Sequence, residues 1–287
     1  MIRDFAGVEF LQWCLPRMHL RWLGFRKVRN RIYKRLNHRL LELGLPSLDA
    51  YQVYLEDHAD EWKVLGSLCW MPITRFYRDR SVYQQLETVV LPQLAQLIVG
   101  AQEIELRCWS AGCAGGEEPF TLAILWKQRL ASRFPTLKFH VVATDINPEA
   151  IQRARRGCYH WSSMKELPAE WRAEAFVASG EELSLKDEYR GAATFLVQDL
   201  RESVPDGLFQ LILCRNLAFT YFDETSQRET LLKLTGKLAP GGALIIGKLE
   251  SFPDGNWEIE PWSLSTGVYR KHSQEETWSK EAVGLIL

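Results

Sequence analysis

The chain has no apolar run approaching the roughly 20 residues that a membrane helix needs. Its apolar-rich runs, such as Phe209 to Cys214 and Ala243 to Ile246, are strand-sized, so no membrane insertion is expected. Behind Arg3 and Asp4 there is no apolar stretch ending in small residues, which argues against a secretory signal and for a cytoplasmic protein. The six cysteines include no C-x-x-C pair, and the six histidines lack close partners. Reduced, partly buried thiols are expected, and neither a metal ion nor a disulfide framework. Overall charge is also missing, with 35 basic residues against 36 acidic ones. What is present is 46% hydrophobic residues over 287 positions, enough for a real core in one or two domains.

From Phe5 to about Arg80 the apolar residues recur at helical spacing, as at Phe10, Leu11 and Cys14, and at Val28, Ile32, Leu36, Leu40 and Leu41. Gly44 and Pro46 stop the second helix; Ser47 and Asp60 open two more. A helical N-terminal domain over residues 1–80 is the expectation. Its second helix carries Arg26, Lys27, Arg29, Arg31, Lys34, Arg35 and Arg39 with no acid between them. Such a basic helix, 26–39, is either a solvated face or a dock for an acidic protein; charge alone does not separate this from a phosphate backbone, though the balanced total disfavours nucleic acid. A linker helix is expected around Ser81 to Leu97. From Ile104 to Gly247 strands and helices alternate, which predicts a doubly wound, Rossmann-like parallel sheet within an α/β domain over residues 81–287. Near 160–191, Ser-rich and charged stretches around the extended Glu182-Leu-Ser-Leu185 segment predict a small β insert.

The most informative stretch is Glu105 to Phe120, where an apolar strand meets a glycine-rich turn and a helix beginning Glu-Glu-Pro. Gly112, Gly115 and Gly116 permit positive φ and close approach of a ligand, and the helix start offers unpaired N–H groups. The next apolar strand, Phe139 to Thr144, ends in Asp145, where α/β folds place an acid against ribose hydroxyls. Neither the glycine pattern nor the spacing to Asp145 fits the dinucleotide fingerprint. S-adenosylmethionine suits the arrangement, with Asp145 on its ribose and Glu118 toward its ammonium. As a bland alternative, the glycines make only a tight turn and the glutamates complement the helix dipole.

Four separated strings carry a resemblance. Thr74-Arg-Phe-Tyr-Arg78, Ala111-Gly-Cys-Ala-Gly-Gly-Glu-Glu-Pro-Phe120, Ala143-Thr-Asp-Ile-Asn147 with Ala154-Arg-Arg-Gly-Cys-Tyr159, and Leu213-Cys-Arg-Asn216 with Tyr221-Phe222-Asp223 resemble, in order and spacing, the CheR-type chemotaxis receptor glutamate methyltransferases. The resemblance runs from about Phe10 to Arg270. It implies cofactor contacts at Pro72 (an asparagine in the family), Thr74, Arg78, Gly112, Glu118, Asp145, Asp199 (again asparagine in the family), Leu200, Asn216 and the Leu217 backbone. It also implies catalytic roles for Arg78 and for Tyr221, the latter aligned by allowing one extra residue after Asn216. The family's basic N-terminal helix faces an anionic receptor bundle, and in some members the small β-subdomain docks a receptor tail peptide. On the acceptor side this chain departs from the family pattern, with Ala114-Gly115 for Ser-Thr and Gly247-Lys-Leu-Glu250 for Gly-His-Ser-Glu.

Methyl transfer from a sulfonium to a glutamate carboxylate needs alignment and exclusion of water but no general base, because an ordinary Glu, with a pKa of about 4.3, arrives ionised. The planar fork of an arginine suits the alignment, and Arg78 is the candidate. The expected activity is S-adenosylmethionine-dependent O-methylation of a carboxylate, on a protein glutamate of a chemoreceptor-like partner. Two other readings stay open: a small-molecule carboxylate as acceptor, and a cofactor-binding scaffold without turnover.

Overall fold

The computed structural model describes residues 4–72, 74–262 and 267–272. Arg3, Ile73 inside the Pro72–Arg78 string, and the last part of the expected catalytic span, 273–287, lie outside them. The chain forms two compact units.

The first unit comprises residues up to Met71 together with Asn216–Arg228. Helices Asp4–Arg17, Arg29–Glu42, Leu48–Asp57 and Glu61–Leu68 surround a core containing Phe10, Leu11, Cys14, Ile32, Leu36, Tyr51 and Leu65. The helix ends follow local chemistry. Gly44, at φ 66°, closes Arg29–Glu42, and Leu45 N–H returns to the Leu40 carbonyl. Ser47 Oγ accepts from Ala50 N–H at 3.2 Å, a cap worth ~1 kcal/mol. Leu41, expected on the apolar stripe, is 79% exposed, because the stripe turns away one residue earlier at Leu40. Glu61 is buried, and Arg39 (2.7 and 2.9 Å) and Tyr51 Oη (2.6 Å) donate to it. Those donors, Arg39 first, hold its pKa below the usual carboxylate value.

The second unit begins at Pro72, so the division falls at Met71/Pro72 and not after residue 80. The reason is packing. Phe76 and Tyr77 are buried in the core of this unit, and so are Val82, Tyr83, Leu86, Val90 and Leu94 from the helical run Arg80–Gly100. The expected linker helix is therefore a core layer, with a π-turn at Leu86–Val90.

Among the described residues ten strands follow: β1 Glu105–Ala111, β2 Lys138–Asp145, β3 Cys158–His160, β4 Phe176–Ser179, β5 Glu182–Leu185, β6 Ala193–Val197, β7 Phe209–Cys214, β8 Leu238–Ile246, β9 Ile259–Pro261 and β10 Val268–Lys271. The main sheet has the order β6-β2-β1-β7-β8-β10-β9. Its first five strands are parallel, and β10 runs antiparallel to both neighbours. β1 and β2 read as apolar runs because both faces are covered, which parallel strands require. The order reverses between β1 and β7, so their carboxyl ends form the switch point where α/β sheets bind ligands. The insert is a three-stranded antiparallel sheet, β3-β5-β4. No helix among the described residues is long and apolar enough to cross a membrane.

Candidate active site

The turn after β1 is shaped by alternating left-handed residues, Gly112 (φ 82°), Ala114 (φ 46°) and Gly116 (φ 90°). Gly115 does not take the positive φ expected of it; Ala114 does. Gly116 is required twice over, since an added Cβ would sit 2.8 Å from the Ala154 Cβ and 3.0 Å from Tyr159 Oη. The N–H groups of Gly112 and Cys113 both donate to the Thr144 carbonyl, and Tyr159 Oη donates to the Gly115 carbonyl at 2.8 Å. The turn is thereby tied to the end of β2 and to the small sheet. Cys113 is buried beside it, and burial pushes its thiol pKa up, which does not suit a nucleophile.

Asp145 closes the other side. Its Oδ2 accepts from Ala114 N–H at 2.8 Å and its Oδ1 from Asn147 N–H at 2.9 Å. A carboxylate has about four lone-pair sites, so each oxygen keeps one for a hydroxyl donor. Burial raises the pKa of this group, with the two N–H donors working against the rise. At the end of β6, Gln198 N–H donates to the Asp145 carbonyl, and Gln198 Oε1 is buried without a hydrogen-bond partner in the structure. A buried acceptor without a partner beside Asp145 is suited to an N–H donor such as an amine. Asp199 Oδ1 and Oδ2 are both taken by the Arg201 guanidinium, at 2.7 to 3.2 Å, and Leu200 is buried. The Asp199 carboxylate is thus neutralised within its own turn.

At the switch point Glu118 is also engaged. Ser110 Oγ donates to its Oε1 at 2.8 Å and Arg215 Nη1 to its Oε2 at 3.0 Å. Arg215, whose side chain is 3% exposed, donates through Nη2 to the Arg78 carbonyl (2.9 Å) and Asp79 Oδ2 (2.7 Å). The sequence points to Asn216 and not to Arg215, although the Cys-Arg-Asn string holds a charged residue directly after the apolar run Leu211–Cys214. Gln198 was missed as well; an uncharged residue before a turn gives no signal of its own. Gly112, Glu118 and Asp145 are thus gathered at one end of the sheet, and the Arg78 carbonyl is bonded into the same network. Pro72 and Thr74 lie half-buried at the start of this unit. Asn216 (φ 55°), Leu217 and Tyr221 group with the helices of the first unit, where the Tyr221 ring packs on Phe25 at 4.8 Å and its carbonyl accepts from Arg21 N–H at 2.8 Å.

Glu117 is 3% exposed at the first position of its helix, with Arg153 Nη2 3.6 Å from Oε1 and no partner for Oε2. Burial pushes its pKa up to about 7, against a smaller opposing effect of Arg153. A raised folded-state pKa favours the fold below the unfolded value near 4.5, and that contribution is lost as pH rises through about 7. Glu117→Gln should therefore stabilise the protein at pH 8 by up to about 3 kcal/mol and change it little at pH 4.5. Denaturant melts at the two pH values test this; an equal effect at both would show that Glu117 is not ionised against its burial.

Residues 73–268 match the family described as CheR methyltransferase, SAM binding domain. The chain is similar to the chemotaxis protein methyltransferase of Listeria innocua serovar 6a, 34% identical over 184 residues that cover 64% of this chain and 67% of that protein. It is also similar to the chemotaxis protein methyltransferase of Escherichia coli strain K12, 30% identical over 232 residues that cover 78% of this chain and 77% of that one.

Proposed function

This chain belongs to the CheR family of S-adenosylmethionine-dependent methyltransferases, and we propose that it esterifies glutamate side chains of a chemoreceptor-like protein in the cytoplasm. The family match over residues 73–268 carries this reading. The geometry supports it: a hydroxyl-accepting acid at Asp145, a backbone turn that leaves no room for a side chain at Gly116, and an arginine segment bonded into the network beside Glu118. When bound, S-adenosylmethionine would supply an electrophilic methyl on a sulfonium, chemistry that asks the protein for alignment and not for a base. Within this chain, Asp145 would hold the ribose hydroxyls, Gln198 the purine amine and Glu118 the ammonium, while the Arg78 fork would orient the acceptor carboxylate.

Incubation with methyl-labelled S-adenosylmethionine and the cytoplasmic fragment of a chemoreceptor from the same genome tests the proposal. Label that enters the receptor and leaves as methanol in base marks a glutamyl ester. Label found only on small carboxylic acids would overturn the protein acceptor, and no transfer to any carboxylate would overturn turnover itself.

The partner surface is narrower than the charge count of the basic helix indicated. Arg29 is paired with Asp4, Arg35 donates to the Leu68 and Trp70 carbonyls, and Arg39 serves Glu61 and Glu42. Arg26, Lys27, Arg31 and Lys34 are exposed, and these are the charges we assign to an acidic protein partner. Reversing Lys27, Arg31 and Lys34 to glutamate should slow methylation of the receptor fragment about tenfold at low salt, with the gap narrowing as salt rises, because steering by exposed charges is screened. A rate that matches wild type at low salt would leave these residues as a solvated face.

A further inference from the structure

The backbone on either side of Arg78 is unusual. Tyr77 has φ 59° and Asp79 has φ 63° with ψ 66°, so two residues with side chains adopt the left-handed region around one arginine. Such conformations persist where the surroundings over-determine them, and they gather at functional sites. The surroundings are explicit. Tyr77 N–H donates to Thr121 Oγ1 at 3.1 Å, and its ring stacks on Tyr83 at 5.1 Å and meets Trp171 edge-on at 5.4 Å. Phe76 N–H donates to the Ser163 carbonyl at 2.9 Å. On the far side of the bend Arg215 Nη2 bonds both the Arg78 carbonyl and the Asp79 carboxylate while Nη1 bonds Glu118, and the Asp79 carbonyl accepts from Val82 N–H at 2.8 Å.

We propose that Asp79 and Arg215 are positioning residues, a clamp built on a buried guanidinium and a half-buried carboxylate, which keeps the bend at Tyr77–Asp79 in its strained form and so sets the direction in which Arg78 leaves the backbone. This rests on the reading of Arg78 as the residue that orients the acceptor. An ion pair in water would hold little, but the Arg215 side chain is 3% exposed, so removing the Asp79 charge leaves a buried guanidinium with Glu118 as its remaining carboxylate partner and loosens its hold on the bend. The same guanidinium bonds Glu118, which ties the acceptor end of the site to the helix that begins under the cofactor turn.

Asp79→Asn isolates the clamp. Asparagine tolerates the left-handed conformation and keeps the shape, and only the charge is lost. Three results are expected. Hydrogen exchange of the amides in residues 77–80 rises at least tenfold with the sheet unchanged. Turnover on the receptor fragment falls about tenfold, while calorimetric affinity for S-adenosylmethionine stays within about twofold. In an Arg78→Ala background the Asp79→Asn change adds nothing further, as expected when one residue acts through the other. Unchanged exchange in the bend would overturn the clamp. Faster exchange with wild-type turnover, where Arg78→Ala is impaired, would overturn the positioning role alone. An Arg78→Ala protein with wild-type turnover would instead overturn the reading of Arg78 beneath it. Arg215→Lys, which keeps the buried charge but cannot reach all three acceptors, should reproduce the turnover loss.

Discussion

Arg78→Ala lowers turnover on the protein acceptor by about 10²-fold or more, the scale expected when the alignment of reacting groups is lost. A glutamate carboxylate arrives ionised and nucleophilic, so what the protein adds is direction, and a planar fork gives direction through two parallel hydrogen bonds. Lysine at this position should recover little, since it restores the charge without the fork. Affinity for S-adenosylmethionine should change far less than turnover, because Asp145, beside the glycine turn, is assigned the ribose. Single-turnover kinetics alongside calorimetry separate the outcomes. Wild-type turnover would reduce Arg78 to a structural charge, and equal losses in binding and turnover would make it a cofactor ligand.

Asp145→Ala weakens S-adenosylmethionine binding by more than tenfold. Hydrogen bonds to a charged group contribute roughly 1.5–3 kcal/mol each, and the variant loses the acceptor for two ribose hydroxyls. It also releases Ala114 N–H and Asn147 N–H, so the turn loses an anchor. Asp145→Asn should fall between the two, as it keeps one acceptor. Because burial raises the Asp145 pKa above that of an ordinary aspartate, binding should also weaken on acidification sooner than an exposed carboxylate would allow. Calorimetry on the folded variant decides; unchanged affinity would remove Asp145 from the ribose.

Much of the framework around the candidate site was legible in the sequence. Apolar runs alternating with helical segments announced the parallel sheet, and the glycines between a strand and a helix announced the tight turn after β1. The strand ending in Asp145 is paired with β1 in the register that brings the acid to the turn, Ala111 level with Thr144. Helix boundaries at Gly44 and Ser47 were equally plain, since glycine and serine act there through their own backbone and side chain. The charged helix misled in part. Counting arginines cannot tell which of them turn inward, and Arg29, Arg35 and Arg39 are used to hold their own unit together.

By itself the sequence determined the kind of fold, the glycine-rich turn between strand and helix and the family, because those depend on local periodicity, on glycine stereochemistry and on residues that lie close together in the chain. Only the tertiary structure decided which charges meet. Arg215 lies far along the chain from Asp79 and Glu118, and no pattern in the sequence relates them; the parallel ordering of β1 beside β7 brings them within 3.0 Å. The left-handed pair around Arg78 was equally invisible, since tyrosine disfavours that conformation and aspartate, though it tolerates it better than most, does not require it. The buried guanidinium folded against them is what makes it tenable.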